Sequence, residues 1–122
     1  MRTYIIILSD IKEQDSDKKF SDFVNENKFD YWRYTALNWV LLTPDTVSTN
    51  QLVAEITKAY GTIFQCVLEI SVNDIGGIFP HKKGEVPSGW SPFNWFHEIK
   101  KPSFIPRWEK ENETKSNSKQ KK

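Results

Sequence analysis

The chain has 122 residues, a net charge of +1 and 14% aromatic residues including five tryptophans, which suits one small hydrophobic core and excludes two independent domains. Its single cysteine, Cys66, excludes an internal disulfide, and no apolar run approaches the roughly 18 residues that a membrane span needs. Residues 107–122 hold six basic and three acidic side chains, so the remainder is slightly acidic and only the tail offers the clustered basic footprint of a phosphate-binding surface.

In chain order, residues 4–8 (YIIIL) are apolar throughout and β-branched at three successive positions, the pattern of a strand covered on both faces and central in a sheet. The run is too short for a signal peptide and gives way at once to Asp10, Lys12 and Glu13, so the cytoplasm is the expected compartment. Phe20, Phe23 and Val24 then recur at helical spacing among polar residues, predicting an amphipathic helix from about residue 17 to 28 with Asp15 or Ser16 as its N-cap. FDYWRYTALNWVLLTP, residues 29–44, is aromatic and β-branched and closes on a proline; it reads as two short strands broken around 36–38, or as one bent strand.

Ser48 and Gln51 have the spacing of a capping box, so a helix is expected to follow, with Leu52, Val53 and Ile56 as its stripe and Gly61 at its end. TIFQCVLEI alternates as a strand, with Phe64, Cys66, Leu68 and Ile70 forming an apolar side and Ile63, Gln65, Val67 and Glu69 a mixed one. Beyond residue 73 glycine and proline break every period until Ser91-Pro92, which can start a short helix running to about residue 100. ENETKSNSKQKK, residues 111–122, contains no apolar side chain and cannot offset the entropy of ordering.

Strand, helix, one or two strands, helix, strand: with right-handed crossovers this order lays both helices on one face of an antiparallel sheet. The expectation is an α+β, ferredoxin-like sandwich over residues 1–101, including an aromatic-rich C-terminal extension, with a basic, largely disordered tail at 102–122. Two helices cover one face of such a sheet, yet residues 4–8 and 39–42 are apolar on both. The second face therefore calls for a cover. Either the aromatic segment 90–99 folds back, with Trp90, Trp95 and Phe96 as an interaction surface, or a second copy packs sheet against sheet; a symmetric dimer is the commonest assembly.

Asp10 directly follows the first strand, where sites on open sheets often lie, and two copies meeting across a dimer axis would suit Mg²⁺, which takes hard oxygen ligands. Equally, Asp10 ends the strand or helps to cap the first helix. DIKEQDSD adds Asp15 and Asp17 but lacks the glycine and terminal glutamate of an EF-hand, so a solvated loop is the better reading. His81 and His97 stand apart from any metal-ligand spacing, and Cys66 falls on an apolar strand face, where an inert thiol is usual. Arg33 between aromatics in YWRY resembles a base-stacking arrangement, although core packing accounts for it more economically. No P-loop, GxGxxG, GxSxG or HExxH occurs.

The succession of YIIILSDI, a helix, YWRYTALNWVLLTP, a capped helix, IFQCVLEI, GGIFP and FNWF resembles the SinR family of small proteins, which is similar to the CRISPR-associated small endoribonucleases and the virulence-associated protein D toxins. The likeness spans about residues 3–99. It implies a ferredoxin-like homodimer and either metal-dependent cleavage of RNA or DNA or a scaffolding role beside nucleic acid, with Asp10 in the place of the relatives' catalytic and metal-binding aspartate. The chain departs from the pattern by inserting HKKGEVPSGW before the last aromatic motif, a segment long enough to cover the edge or face through which relatives pair. Two functions of different class follow: an Mg²⁺-dependent endonuclease acting through Asp10, or a non-catalytic dimeric regulator that binds a protein partner through its aromatic surface. Neither involves a membrane.

Overall fold

The computed structural model describes residues 1–11, 14–78, 82, 84–87 and 90–110. Among the described residues the elements follow in the order β1 (Arg2–Leu8), α1 (Gln14–Glu26), β2 (Asp30–Trp32), β3 (Asn38–Thr43), α2 (Thr49–Tyr60), β4 (Gln65–Ile70) and α3 (Asn94–Glu98), with a further helical turn at 107–110. The class is α+β, with one four-stranded antiparallel sheet ordered β2-β3-β1-β4. The all-apolar first strand is thus central, as its composition predicts, flanked by β3 and β4.

Register decides which side chains meet. Tyr4 lies opposite Leu41 and Ile6 opposite Trp39. Together with Leu8 these residues face the helices and bury against Phe20 and Val24 of α1 and Leu52 and Ile56 of α2. Fully burying an apolar side chain of this size contributes about 1.5–3 kcal/mol. Phe20 sets its ring edge-on to Trp39, with centroids 5.2 Å apart, a favoured aromatic geometry.

α1 begins earlier than its hydrophobic spacing suggests. Asp15 and Ser16, expected as caps, lie inside the first turn instead, where an acidic side chain suits the positive end of the helix. Its C-terminus closes in a Schellman motif: Phe29 N–H donates to Val24 O at 3.1 Å and Lys28 N–H to Asn25 O at 3.1 Å, with Lys28 at φ 57°. The apolar contact that accompanies this motif is Phe23 against Phe29, ring centroids 5.8 Å apart. Residues 29–44 resolve into two strands rather than one bent one.

The capping box of α2 forms in full. Ser48 Oγ accepts from Gln51 N–H at 3.2 Å, and Gln51 Oε1 accepts from Ser48 N–H at 2.7 Å. Gly61 ends the helix at φ 82°, a backbone angle that side-chain-bearing residues rarely adopt.

The mixed side of β4 faces the helices, and its apolar side, Cys66, Leu68 and Ile70, faces away, because Ile6 pairs with Val67 while Ile5 and Ile7 pair with Leu68 and Cys66. On that outward face Val40 and Leu42 are buried, but Ile7 is 43% and Leu68 49% exposed. β1 is therefore not covered on both sides along its whole length.

The chain divides into two compact units, Met1–Ser71 together with the chain from Ile105, and Val72–Phe104. Residues 105–110, which the sequence places in the tail, hydrogen-bond and pack within the first unit. Arg107 N–H donates to Asp30 Oδ2 at 3.0 Å, its Nη1 to Phe29 O at 3.0 Å and its Nη2 to Asn25 Oδ1 at 3.2 Å, while Trp108 packs edge-on to Phe29. The expected disorder of residues 111–122 concerns positions outside the described residues.

Within the second unit α3 is shorter than the helix expected from Ser91-Pro92. Ser91 Oγ accepts from Phe93 N–H at 3.2 Å, and the helix starts only after that turn. Gly77 lies so close to Phe93 that a Cβ there would meet the ring at 2.5 Å.

Candidate functional site

The C-terminal end of β1 is tied on both sides. Leu8 N–H donates to Leu37 O at 2.8 Å and Ser9 N–H to Phe64 O at 3.2 Å, so the loop after β2 and the approach to β4 converge on the same end of the sheet. Asp10 follows directly, exposed, with Ser9 Oγ donating to its Oδ1 at the weak distance of 3.5 Å. Phe64, in the segment beside it, is 66% exposed.

The three aspartates of DIKEQDSD are not used alike. Asp10 and Asp15 are exposed, while Asp17 turns into the body, where Arg33 donates from Nη1 to Oδ2 at 2.8 Å and from Nη2 to Oδ1 at 2.5 Å. Among the described residues no group of three or more His, Cys, Asp or Glu side chains is placed to hold a metal ion. Asp10 is the carboxylate that directly follows β1 at this end.

Around Asp17 a polar network links α1, α2 and β3 with the loop after β2. Tyr60 at the end of α2 donates from its hydroxyl to Asp17 Oδ1 at 2.8 Å, and Trp39 of β3 donates from Nε1 to the Tyr60 hydroxyl at 3.4 Å. Arg33 also donates to Thr35 O and Ala36 O and lays its guanidinium 4.0 Å from the centre of the Trp39 ring, a cation–π contact. The arginine that resembles a base-stacking residue in sequence has its donors and its flat face occupied inside the protein. The hydrogen bonds from Arg33, then the one from the Tyr60 hydroxyl and last the guanidinium charge, hold the Asp17 carboxyl below the usual carboxylate range against the opposing effect of burial. Burial, then Asp17, pushes the Tyr60 hydroxyl up to about 12 although the Trp39 N–H opposes the rise. The pairing of residues 17, 33 and 60 has no local signature, because the partners are 16 and 43 residues apart.

Of the aromatic side chains expected to form an interaction surface, Trp90 is exposed, Trp95 half-buried and Phe96 buried; Trp95 and Phe96 meet edge to face at 5.0 Å. Phe96 thus presents little surface. His97 is exposed, His81 lies outside the described residues, and Cys66 is half-buried on the outward sheet face rather than sealed in the core. No described helix is long and apolar enough to cross a membrane. Comparison with known proteins finds no matching family model, no similar curated protein and no similar solved structure.

Proposed function

We propose that the chain is a ferredoxin-like subunit of the SinR type that pairs with a second copy and, with Mg²⁺ between the two Asp10 carboxylates, hydrolyses phosphodiester bonds in RNA or DNA. The observation that carries this reading is the setting of Asp10. It leaves the end of a central strand into solvent, and the neighbouring outward positions Ile7, Phe64 and Leu68 keep apolar surface in water. Pairing copies through that open area would remove it from water, at roughly 25 cal/mol for each Å² buried. The strand order β2-β3-β1-β4 and the packing of both helices on one face support the ferredoxin-like assignment.

The donor chemistry fits a hard cation only in a pair. Mg²⁺ accepts one or two carboxylates and keeps several waters, and one exposed carboxylate from each copy meets that demand. Bound there, the ion would polarise a phosphoryl oxygen and acidify a water. Asp10 would hold it, and the Ser9 hydroxyl would orient the carboxylate.

The test is Asp10→Asn assayed on labelled RNA and double-stranded DNA with and without Mg²⁺. Cleavage that needs the ion and disappears in the variant supports the reading; cleavage that survives the substitution removes it.

A second reading, a non-catalytic module that binds a protein partner, is favoured by the exposed Trp90. In that case Asp10→Asn is silent, and Trp90→Ala or Trp95→Ala abolishes recovery of a partner from the native host.

A further inference from the structure

On the helix side of the first unit, a cavity of about 340 Å³ lies between the start of α1 and the end of α2, lined by Ser16 and Lys19, by Lys58, Ala59 and Tyr60, and by the turn Gly61–Thr62–Ile63. Its size falls at the small end of the roughly 300–1,000 Å³ common for ligand sites. Lys19 and Lys58 come from different helices and are the two cationic side chains among its lining residues. Asp15, in the same turn as Ser16, is not among them, and Asp17 is neutralised by Arg33.

Ser16 is 97% removed from solvent, being 3% exposed, yet it lines this opening. Among the described residues neither its hydroxyl, nor the Thr62 hydroxyl, nor the Lys19 ammonium makes a hydrogen bond. Among the described residues the sealed side-chain atom without a partner is Gln65 Oε1, so the Ser16 hydroxyl is open to whatever fills the cavity. The first turn of α1, a helix of 13 residues, adds backbone N–H groups that lack intrahelical acceptors.

We propose that this cavity binds a phosphate monoester. Two cationic side chains, one from each helix, suit a dianion, and hydroxyls on separate elements suit a tetrahedral group with several acceptor oxygens. A planar carboxylate, with one charge and two oxygens, leaves half of these donors unused. Gly61, with its positive φ, and the Ile63 N–H bond to Gly61 O at 3.1 Å hold the turn that carries Thr62 to the rim. Lys58 is shared, since Glu55 accepts from it at 3.2 Å, so the acid competes with the ligand for that ammonium. The site is independent of Asp10 and stands whether or not the protein cleaves nucleic acid.

Isothermal titration calorimetry of the full chain tests the proposal with adenosine 5′-monophosphate, adenosine, and one oligonucleotide bearing either a 5′-phosphate or a 5′-hydroxyl. Binding is expected only where the monoester is present, and the tighter of the two phosphorylated probes tells a free small molecule from a strand end. Lys19→Gln and Lys58→Gln change exposed side chains and should each weaken binding about tenfold, the effect of removing one charge-assisted contact. Glu55→Gln frees Lys58 and should tighten it. Affinity should also fall from pH 7.5 to pH 5, as the phosphate takes up its second proton near pH 6. Adenosine binding as tightly as its monophosphate, full affinity in the Lys19→Gln/Lys58→Gln double variant, or no saturable heat with the monophosphate up to about 10 mM would each overturn the assignment.

Discussion

Arg33 and Asp17 meet as a two-pronged ion pair, 2.8 Å and 2.5 Å, that fastens the start of α1 to the end of β2. Both groups are largely withdrawn from water, so truncating either leaves its partner short of contacts.

Arg33→Met is accordingly expected to destabilise the fold by about 1–3 kcal/mol, measured by urea denaturation at pH 7. The pair also sets the acid limb. Asp17 has a lowered carboxyl pKa when folded, so its contribution is complete above the unfolded carboxylate value of about 4 and disappears as pH falls through the lower folded value. Asp17→Asn should flatten that limb; an unchanged slope would detach Asp17 from acid unfolding.

At the opposite extreme, Tyr60 has a raised pKa of about 12 when folded. The unfolded chain ionises first, near pH 10, so stability drains away as pH rises from about 10 towards 12, by roughly 2 kcal/mol for this one group. Denaturation curves of wild type and Tyr60→Phe should differ most in slope across that interval and less at neutral pH.

Lys28 occupies a left-handed conformation at φ 57° to close the Schellman motif of α1. A side chain there costs roughly 1–2 kcal/mol that glycine avoids, partly offset by the greater freedom glycine has when unfolded. Lys28→Gly should therefore raise the midpoint of thermal unfolding, and Lys28→Val, β-branched at the same angle, should lower it.

Residues 105–110 close over the turn between α1 and β2 through Arg107 and Trp108. Ending the chain after residue 104 removes three hydrogen bonds and the ring against Phe29, and the loss should exceed about 2 kcal/mol. Ending it after residue 110 should leave the melting curve of the folded body in place.

If copies pair through the open part of the sheet, Leu68→Arg should give a monomer by analytical ultracentrifugation with its circular dichroism intact, since Leu68 is 49% exposed within the chain. An unchanged sedimentation profile would place any assembly elsewhere.

Much of this architecture is legible in the chain alone wherever local chemistry and burial agree. Ser48 and Gln51 announce α2 because a capping box is closed by residues three apart, and YIIIL announces a central strand because an edge strand would leave those side chains wet. Local patterns do not say which side of β4 meets the helices. Its apolar alternation points to Cys66 and Leu68, and only the pairing with β1 turns that side outward. Nor does spacing reveal that Arg33 joins Asp17, that Arg107 returns to Asp30, or that Lys19 and Lys58 flank one cavity. Sequence by itself determined the elements and their order, because propensity, capping and periodicity act within a few residues. The tertiary structure decided which charges are consumed and which face solvent, because contacts between segments distant along the chain arise only once strand register and helix packing are set.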